Sequence, residues 1–406
     1  MGTYILKEEQ GKWELRDAQN APFFSLGVNC VTLKDVDVTN GDMYRSQRNW
    51  FPKWIYKTWD EIASLGFNTL GAWHHPIFWG GKTPKTVALA LSQYAKKVNN
   101  VWGMGFPDVF DPSFAVSIQK TLIDTFCGHG DVLADDAGVI GYFTDNELHW
   151  WGSGGYWGDN NQTGGSCTGL VDDYIQLSAQ CAGKQHWVNF LIQRYETIQQ
   201  LNSAWQSEYL CFDDLLHLGH YRAVPEILET DKLAFLKCIA RRYFEETSSL
   251  LRQYAPGSLN LGCRYVGQST PDVVLETGRD YVDADSFNFY CMEFPERYLD
   301  HVYAITGRPI IITEFSFSAG RSAGFLDSNN GSRNVIVFSQ ARRGDCYHAF
   351  AAAAKRKPYM LGLHWFALFD YGNNVHGLIG NYGLYDLNGR AYSEFQEAVK
   401  RTHAQL

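Results

Sequence analysis

The sequence predicts an α/β fold, a (β/α)8 TIM barrel with a short N-terminal β-hairpin and a long insertion after strand 4. Three observations predict it. Short apolar, β-rich runs alternate along the chain with amphipathic helical stretches, the pattern of a parallel sheet wrapped by helices. Eight such runs can be counted, which form a barrel more naturally than an open sheet. No Gly-x-Gly-x-x-Gly motif follows the first run, so a dinucleotide-binding sheet lacks its signature. The chain of 406 residues, 45% of them hydrophobic, has ample apolar surface for one large core. A single barrel domain spanning 1–406 is expected, since no repeat, low-complexity tail or domain linker is visible.

The elements follow in order. Tyr4 to Lys7 and Lys12 to Arg16 read as a hairpin that would lie at one end of the barrel. Strands are expected at Phe23–Val31, Thr69–Trp73, Val87–Leu91, Val139–Thr144, Leu259–Tyr265, Asp285–Tyr290, Pro309–Phe315 and Met360–Phe366. Helices fit between them: Trp59 to Leu65 before Gly66, Phe114 to Phe126, the long amphipathic stretches Trp187 to Leu201 and Leu233 to Tyr254, and the Ala-rich Cys346 to Lys355. The longest interruption, Leu148 to Ser258, separates the fourth and fifth strands. It begins with a Gly-rich, aromatic loop from Trp150 through Trp151, Tyr156 and Trp157 to Gly165. Barrel active sites are built from loops at this end, so the loop is expected to wall a cleft. A disordered insertion is the alternative, and three Trp within eight positions speak against it.

Composition narrows the function classes. The net charge is −9 and no basic stripe is present, which argues against nucleic acid and anionic membranes as partners. The nine cysteines are odd in number and scattered, with no Cys-x-x-Cys pair and no zinc spacing. They read mostly as free thiols in a reducing compartment, and neither a metal nor an organic cofactor is expected. The N-terminus has no basic n-region and no apolar h-region, and no apolar run has the length of a membrane span. A cytoplasmic location is therefore expected, with a secreted form that has lost its leader as the alternative. Asn161-Gln-Thr163 and Asn330-Gly-Ser332 match the glycosylation pattern, which short tripeptides often do by chance.

Two runs carry the chemistry. Gly141-Tyr-Phe-Thr-Asp-Asn-Glu ends a strand on Glu147, and Arg308-Pro-Ile-Ile-Ile-Thr-Glu-Phe puts Glu314 at the end of another. Strands four and seven lie on opposite sides of an eight-stranded mouth, so the two tips can face each other over a bound molecule. Paired carboxylates in that arrangement suit glycosidic bond cleavage, one as acid and one as nucleophile. A lone Asn-Glu after a strand would favour a capping or solvated residue; the second carboxylate changes that balance. Asn146 is placed to donate to a sugar hydroxyl, while strand alternation turns Asp145 the other way.

Further candidates lie near the same strand ends. Tyr290 is placed to hydrogen-bond Glu314, and a core Tyr accounts for it equally well. Trp365 is expected as a platform for the apolar face of a sugar, with His364 packed in the core. Trp73 and His74 follow strand two, where one of His74 and His75 suits a sugar hydroxyl and the other a structural role. Arg264 either binds substrate or pairs with a carboxylate. Trp151 opens the aromatic loop and is expected at the cleft.

Taken in order, several segments resemble a known group. They are Phe24-Ser-Leu-Gly-Val-Asn, Leu65-Gly-Phe-Asn-Thr-Leu-Gly-Ala-Trp, Phe106-Pro-Asp-Val-Phe-Asp-Pro-Ser-Phe, Gly141-Tyr-Phe-Thr-Asp-Asn-Glu-Leu, Arg194 to Trp205, Thr313-Glu-Phe, Gly362-Leu-His-Trp-Phe and Asn381-Tyr-Gly-Leu. Together they resemble the retaining (β/α)8 glycoside hydrolases with catalytic Glu on strands four and seven, and within them the β-agarase family. The resemblance implies that Glu147 is the acid/base, Glu314 the nucleophile and Asn146 a sugar-hydroxyl ligand. It implies a β-linked, galactose-containing oligosaccharide as substrate, with exo action expected on short chains. The chain departs from the family at Phe315-Ser-Phe-Ser, where such agarases carry Phe-His-Phe-Gly, so Ser316 replaces a candidate substrate-binding His. It also departs at Trp365-Phe-Ala-Leu-Phe-Asp-Tyr, and the family's usual N-terminal β-sandwich has no counterpart in these residues. A β-galactosidase- or β-glucosidase-like enzyme and a non-catalytic sugar-binding barrel are the alternatives.

Overall fold

The structure is a computed structural model that describes residues 4–32, 50–100, 105–128, 132–133, 136–154, 166–319, 335–371 and 380–406. Ile5–Glu9 (β1) pairs antiparallel with Lys12–Arg16 (β2), and Pro22–Phe23 (β3) adds a third strand. The main sheet follows with Ser25–Val28 (β4), Thr69–Leu70 (β5), Lys85–Ala88 (β6), Val139–Phe143 (β7), Leu259–Asn260 (β8), Tyr265–Val266 (β9), Asp285–Asn288 (β10) and Ile310–Phe315 (β11). Phe317–Ser318 (β12) and Val335–Ile336 (β13) form a small separate pair, and Met360–Trp365 (β14) completes the main sheet. Its nine strands run β8-β7-β6-β5-β4-β14-β11-β10-β9, every pair parallel.

The two edges of this curled sheet, β8 and β9, are consecutive pieces of one stretch of chain. Residues 261–264 between them bond to both sides. Leu261 N donates to Tyr142 O at 2.9 Å, and Thr144 N donates to Gly262 O at 2.8 Å. On the other side, Arg264 N donates to the Ser286 hydroxyl at 3.0 Å. The expected continuous strand Leu259–Tyr265 is therefore broken, and the break falls at Gly262 and Arg264, whose φ angles are +72° and +51°. Left-handed residues cannot continue a strand.

Side chains sort into two apolar layers, by alternation along each strand and with a change of face where the register shifts, between Ile140 and Tyr142 in β7 and between Leu361 and Leu363 in β14. Ile140, Phe143, Leu261, Ala284, Ile311 and Leu361 point inside the curl and meet Tyr4, just before β1, and Leu15 of β2. Val28, Leu70, Tyr142, Phe287, Ile310, Ile312 and Leu363 point outward against the helices. Each fully buried large side chain contributes roughly 1.5–3 kcal/mol.

The segment between β7 and β8 holds helices at Gly169–Gln176, Ala182–Tyr195, Ile198–Trp205, Asp213–Leu216 and Pro225–Tyr254. The helix expected from Trp187 to Leu201 is two helices. Glu196 has a φ of +59°, and Thr197 then opens a new helix with a capping box closed by Gln200. The helix expected from Leu233 begins earlier, at Pro225, a residue suited to the first helical turn. Two buried charges tie this segment together. Asp231 accepts from Tyr195 and from the Trp205 indole at 2.8 Å, and forms an ion pair with Arg194 at 2.6 Å. Lys184 donates to the carbonyls of Ile175 and Leu218 and to the Tyr221 hydroxyl. Most of the Gly-rich loop expected to wall the cleft, residues 155–165, lies outside the described residues, as do both glycosylation tripeptides.

Candidate active site

Glu314 owes its position to a β-bulge. Ile310 and Ile312 of β11 point outward and Ile311 inward. Strict alternation would then send Thr313 inward and Glu314 out. The pairing with β10 skips a residue here: Phe287 faces Ile312, but Asn288 faces Glu314. The extra residue lets Thr313 and Glu314 both turn toward the mouth, which is what bulges beside functional sites do.

The carboxylate is 5% exposed. Arg264 Nη2 donates to Glu314 Oε1 at 2.7 Å, and the Tyr290 hydroxyl donates to Oε2. The Arg264 side chain is fully buried. Its Nη2 also reaches Thr313 O at 3.1 Å, and its guanidinium lies 5.2 Å from the Phe143 ring centre and 5.7 Å from that of Trp73. The alternatives open for Arg264 thus resolve in favour of the carboxylate pair, and Tyr290 is a ligand of Glu314 rather than a filler of the core. Burial pushes the Tyr290 hydroxyl well above its usual pKa, and the carboxylates of Glu314 and Glu147 push it the same way. Tyr290 therefore stays a neutral donor at any working pH, and it feels both carboxylates at once.

Glu147 lies four residues beyond the end of β7, half-buried, with a φ of +54°. Its backbone N donates to Arg264 O at 3.2 Å. Asn288 Nδ2 donates to Glu147 Oε1 at 2.8 Å, and more weakly to Asn146 Oδ1 at 3.4 Å. Asn288 Oδ1 in turn accepts from the Thr313 hydroxyl at 2.7 Å. A continuous chain of polar contacts thus runs from Glu147 through Asn288, Thr313 and Arg264 to Glu314. Asp145 turns away, as alternation predicts: it is buried and accepts from Ser92 N at 2.9 Å and from the Tyr243 hydroxyl at 2.7 Å.

The mouth carries local backbone strain. Cys30, Trp73, Ala90, Glu147 and Arg264 are all non-glycine residues with φ between +51° and +64°, and each lies just past the C-terminal tip of a strand or in the β8–β9 break. Such residues cost of order 1 kcal/mol or more each and cluster where a fold aims side chains for function.

Three expected ligands do not reach the mouth. Trp365 is fully buried among Phe315, Phe317, Tyr347 and Phe395, so it is no sugar platform. It shares the outward face of β14 with Leu363, two residues earlier. The next residue, Phe366, faces the site instead, with its ring 6.2 Å from that of Tyr290 and packed with Tyr371 and Tyr382. His74 is also structural. Its Nδ1 contacts Gly71 O at 2.7 Å, its Nε2 accepts from the Trp79 indole at 3.1 Å, and burial holds its pKa down at about 4. Trp151 is 2% exposed and stacks on His149 at 4.6 Å. Trp73, by contrast, is 38% exposed beside Arg264 and can receive a ligand.

Asn288 and Phe366 are the site residues that sequence reasoning missed. Both lie inside expected strands: the period of two counted back from Tyr290 reaches Asn288, and on its own strand Phe366 shares its parity with His364 and not with Trp365. Ser316 is 1% exposed and its hydroxyl meets no partner among the described residues. A hollow of about 340 Å³ lined by Lys237, Arg241, Glu276 and Asp280 lies beside the helices Pro225–Tyr254 and Asp272–Gly278, and includes none of the residues above.

No family model matches the chain. In sequence it is similar to Beta-agarase B of Vibrio sp. (strain JT0107), 24% identical over 471 residues that cover 98% of this chain and 48% of the relative. It is likewise similar to Beta-agarase A of the same strain, 24% identical over 429 residues, covering 90% of this chain and 41% of the relative. The chain thus spans about half the length of the curated relatives it matches. Among solved structures it is similar to an exo-beta-agarase, with a TM-score of 0.83 at 21% identity over 100% of this chain and 66% of the other. The agarase AgWH50C gives a TM-score of 0.79 at 22% identity, over 99% and 64%. A beta-galactosidase from the psychrophilic Marinomonas ef1 gives 0.59 at 12% identity, over 94% and 59%. These structural likenesses speak for the α/β fold.

Proposed function

We propose, from the premise that the chain's relatives are β-agarases, that it is a retaining β-glycosidase acting on β-linked, galactose-containing oligosaccharides of the agar type. The observation that carries this reading is the pair Glu147 and Glu314, both turned to one mouth and linked through Asn288, Thr313 and Arg264. In the proposed cycle Glu314 attacks the anomeric carbon while Glu147 protonates the leaving oxygen. A covalent glycosyl-enzyme forms, and Glu147 then takes a proton from the water that releases it. Retention requires the carboxyl groups to stand about 5–5.5 Å apart. Arg264 and Tyr290 together hold Glu314 oriented as the nucleophile, and Trp73 and Phe366 offer flat faces to a sugar ring.

The same reading takes the curled sheet as a closed (β/α)8 barrel in which β8 and β9 count as one strand, and the whole chain as one catalytic domain. Exo action on short chains belongs to it as well, and products that begin as long internal fragments would rule that out. A second reading, a β-galactosidase-like enzyme of the same architecture with another β-linked substrate, is favoured by Ser316. A small buried hydroxyl there leaves the residue after the nucleophile and its neighbour without a side chain able to reach a sugar as a histidine would.

The test is product analysis on agar-derived oligosaccharides and a panel of aryl β-glycosides, with Glu314→Gln alongside. Disaccharide release abolished in the variant supports the first reading. Turnover confined to a simple aryl glycoside moves the assignment to the second. Binding without cleavage, unchanged in Glu314→Gln, would replace both with a sugar-binding protein.

A further inference from the structure

Asn288 is fully buried and spans the gap between the two carboxylate strands. One end of its amide is fixed: Oδ1 accepts from the Thr313 hydroxyl at 2.7 Å, and Thr313 O accepts from Arg264 at 3.1 Å and from Asn29 Nδ2 at 2.7 Å. The other end therefore has to present its N–H to Glu147 Oε1, at 2.8 Å. A donor locked on Oε1 favours Oε1 as the unprotonated oxygen of the carboxyl, and so favours the other oxygen as the carrier of a transferable proton. We propose that Asn288 is a positioning residue that holds Glu147 with one defined oxygen toward the substrate, and that through Thr313 and Arg264 it couples this orientation to Glu314.

This proposal rests on the reading of Glu147 as acid/base, yet part of its test does not need turnover. The charged and titratable groups around Glu147 include, among the described residues, Arg264, whose carbonyl takes its backbone N–H, and Tyr290 and Glu314 across the mouth; Asp145 on its own segment faces Ser92 and Tyr243. A hydrogen bond donated to the carboxylate favours its charged form, so losing the bond makes Glu147 hold its proton to higher pH. The acid works protonated, so the alkaline limb of activity should move up with it.

The experiment compares wild type with Asn288→Ala and with Asn288→Leu, which keeps the volume of the side chain and guards against a folding failure. The carboxyl titration of Glu147 is followed by ¹³C NMR on Glu-labelled protein, assigned with Glu147→Gln. kcat/KM is measured against pH on an agar-derived oligosaccharide and on a 2,4-dinitrophenyl β-galactoside, whose leaving group needs no proton. The expected result is an upward shift of the Glu147 midpoint in both variants and of the alkaline limb on the oligosaccharide. kcat/KM on the oligosaccharide should fall about 10- to 100-fold, with the activated substrate far less affected. An unmoved Glu147 titration in a variant with native near-ultraviolet circular dichroism overturns the proposal, as does an equal fall on both substrates. If wild type turns over neither substrate, the glycosidase reading fails, and the titration alone then decides whether Asn288 positions Glu147.

Discussion

At the scale of single residues, the site depends on how Glu314, 5% exposed, is held by its partners. A buried carboxylate without partners is costly, and one without a fixed orientation is a poor nucleophile. Arg264 supplies the opposing charge from a fully buried position, and Tyr290, kept neutral by burial, supplies a hydrogen bond without competing for the proton. Removing one member of such a buried pair leaves the other charge uncompensated. Arg264→Met is therefore expected to lower unfolding free energy by about 3–5 kcal/mol, read by urea titration, together with loss of turnover. Arg264→Lys should not restore either, because an ammonium cannot make the Thr313 and Glu314 contacts from one planar fork. Stability within about 0.5 kcal/mol of wild type in Arg264→Met would contradict the pairing argument. The two glutamates were legible in the sequence because burying a carboxylate at the end of an apolar strand is costly and rarely kept without a use. Asn288 was legible only as the residue two before Tyr290 on one strand; its bond to Glu147 depends on neighbours across the sheet that the sequence does not show.

Strands explain which aromatic residue faces a sugar and which does not. Residues 363, 364, 365 and 366 alternate as Leu363 outward, His364 inward against Ser25, Trp365 outward and Phe366 toward the mouth. The Trp was singled out from its size and its place near a strand end, yet the period of two assigns it to the face of Leu363. The same rule that turned Asp145 away from Glu147 would have turned Trp365 away from Glu314. Trp365→Ala is expected to cost about 3–5 kcal/mol of stability as a core cavity. Phe366→Ala, expected to cost less, should instead raise KM for the oligosaccharide with a smaller change in Tm. Reversal of that pattern, a Tm loss centred on Phe366 and a KM effect centred on Trp365, would restore the platform to Trp365. Elements also explain why strand ends were overrun: β5 stops at Leu70 and β7 at Phe143, before the left-handed Trp73 and Glu147. Apolar character continues past those points, while the backbone has already turned to aim side chains. The bulge that brings Thr313 and Glu314 to the same side has no sequence mark at all, since it depends on the register with β10.

On the scale of the whole molecule, the inside of the curled sheet is both core and foundation of the site. The N-terminal hairpin places Tyr4 and Leu15 against Ile140, Ile311 and Leu361. His364 belongs to that interior. It is fully buried, contacts the Ser25 hydroxyl at 2.8 Å, and is held by burial at a pKa of about 3, with Arg264 pushing the same way. In the unfolded chain the same imidazole takes a proton near pH 6.5. Between those values the unfolded state binds a proton that the folded state does not, so stability falls as pH falls. The contribution is complete above about pH 6.5 and is lost progressively toward pH 3. From pH 7 to pH 5 it amounts to about 2 kcal/mol at most, on a background set by every other titrating group. Many such groups contribute, and burial pushes some carboxyls the opposite way: Asp285 rises to about 7 and Asp370 to about 6. The isolating measurement is therefore a difference. Urea unfolding at pH 7 and pH 5 for wild type and His364→Gln should show the wild type losing more stability than the variant over that interval. Equal losses in the two proteins would mean that His364 already carries its proton in the folded state. The ring beside Ser25 would then be a cation at the centre of the fold, in the same interior as Arg264, and the mouth would no longer stand on a neutral foundation.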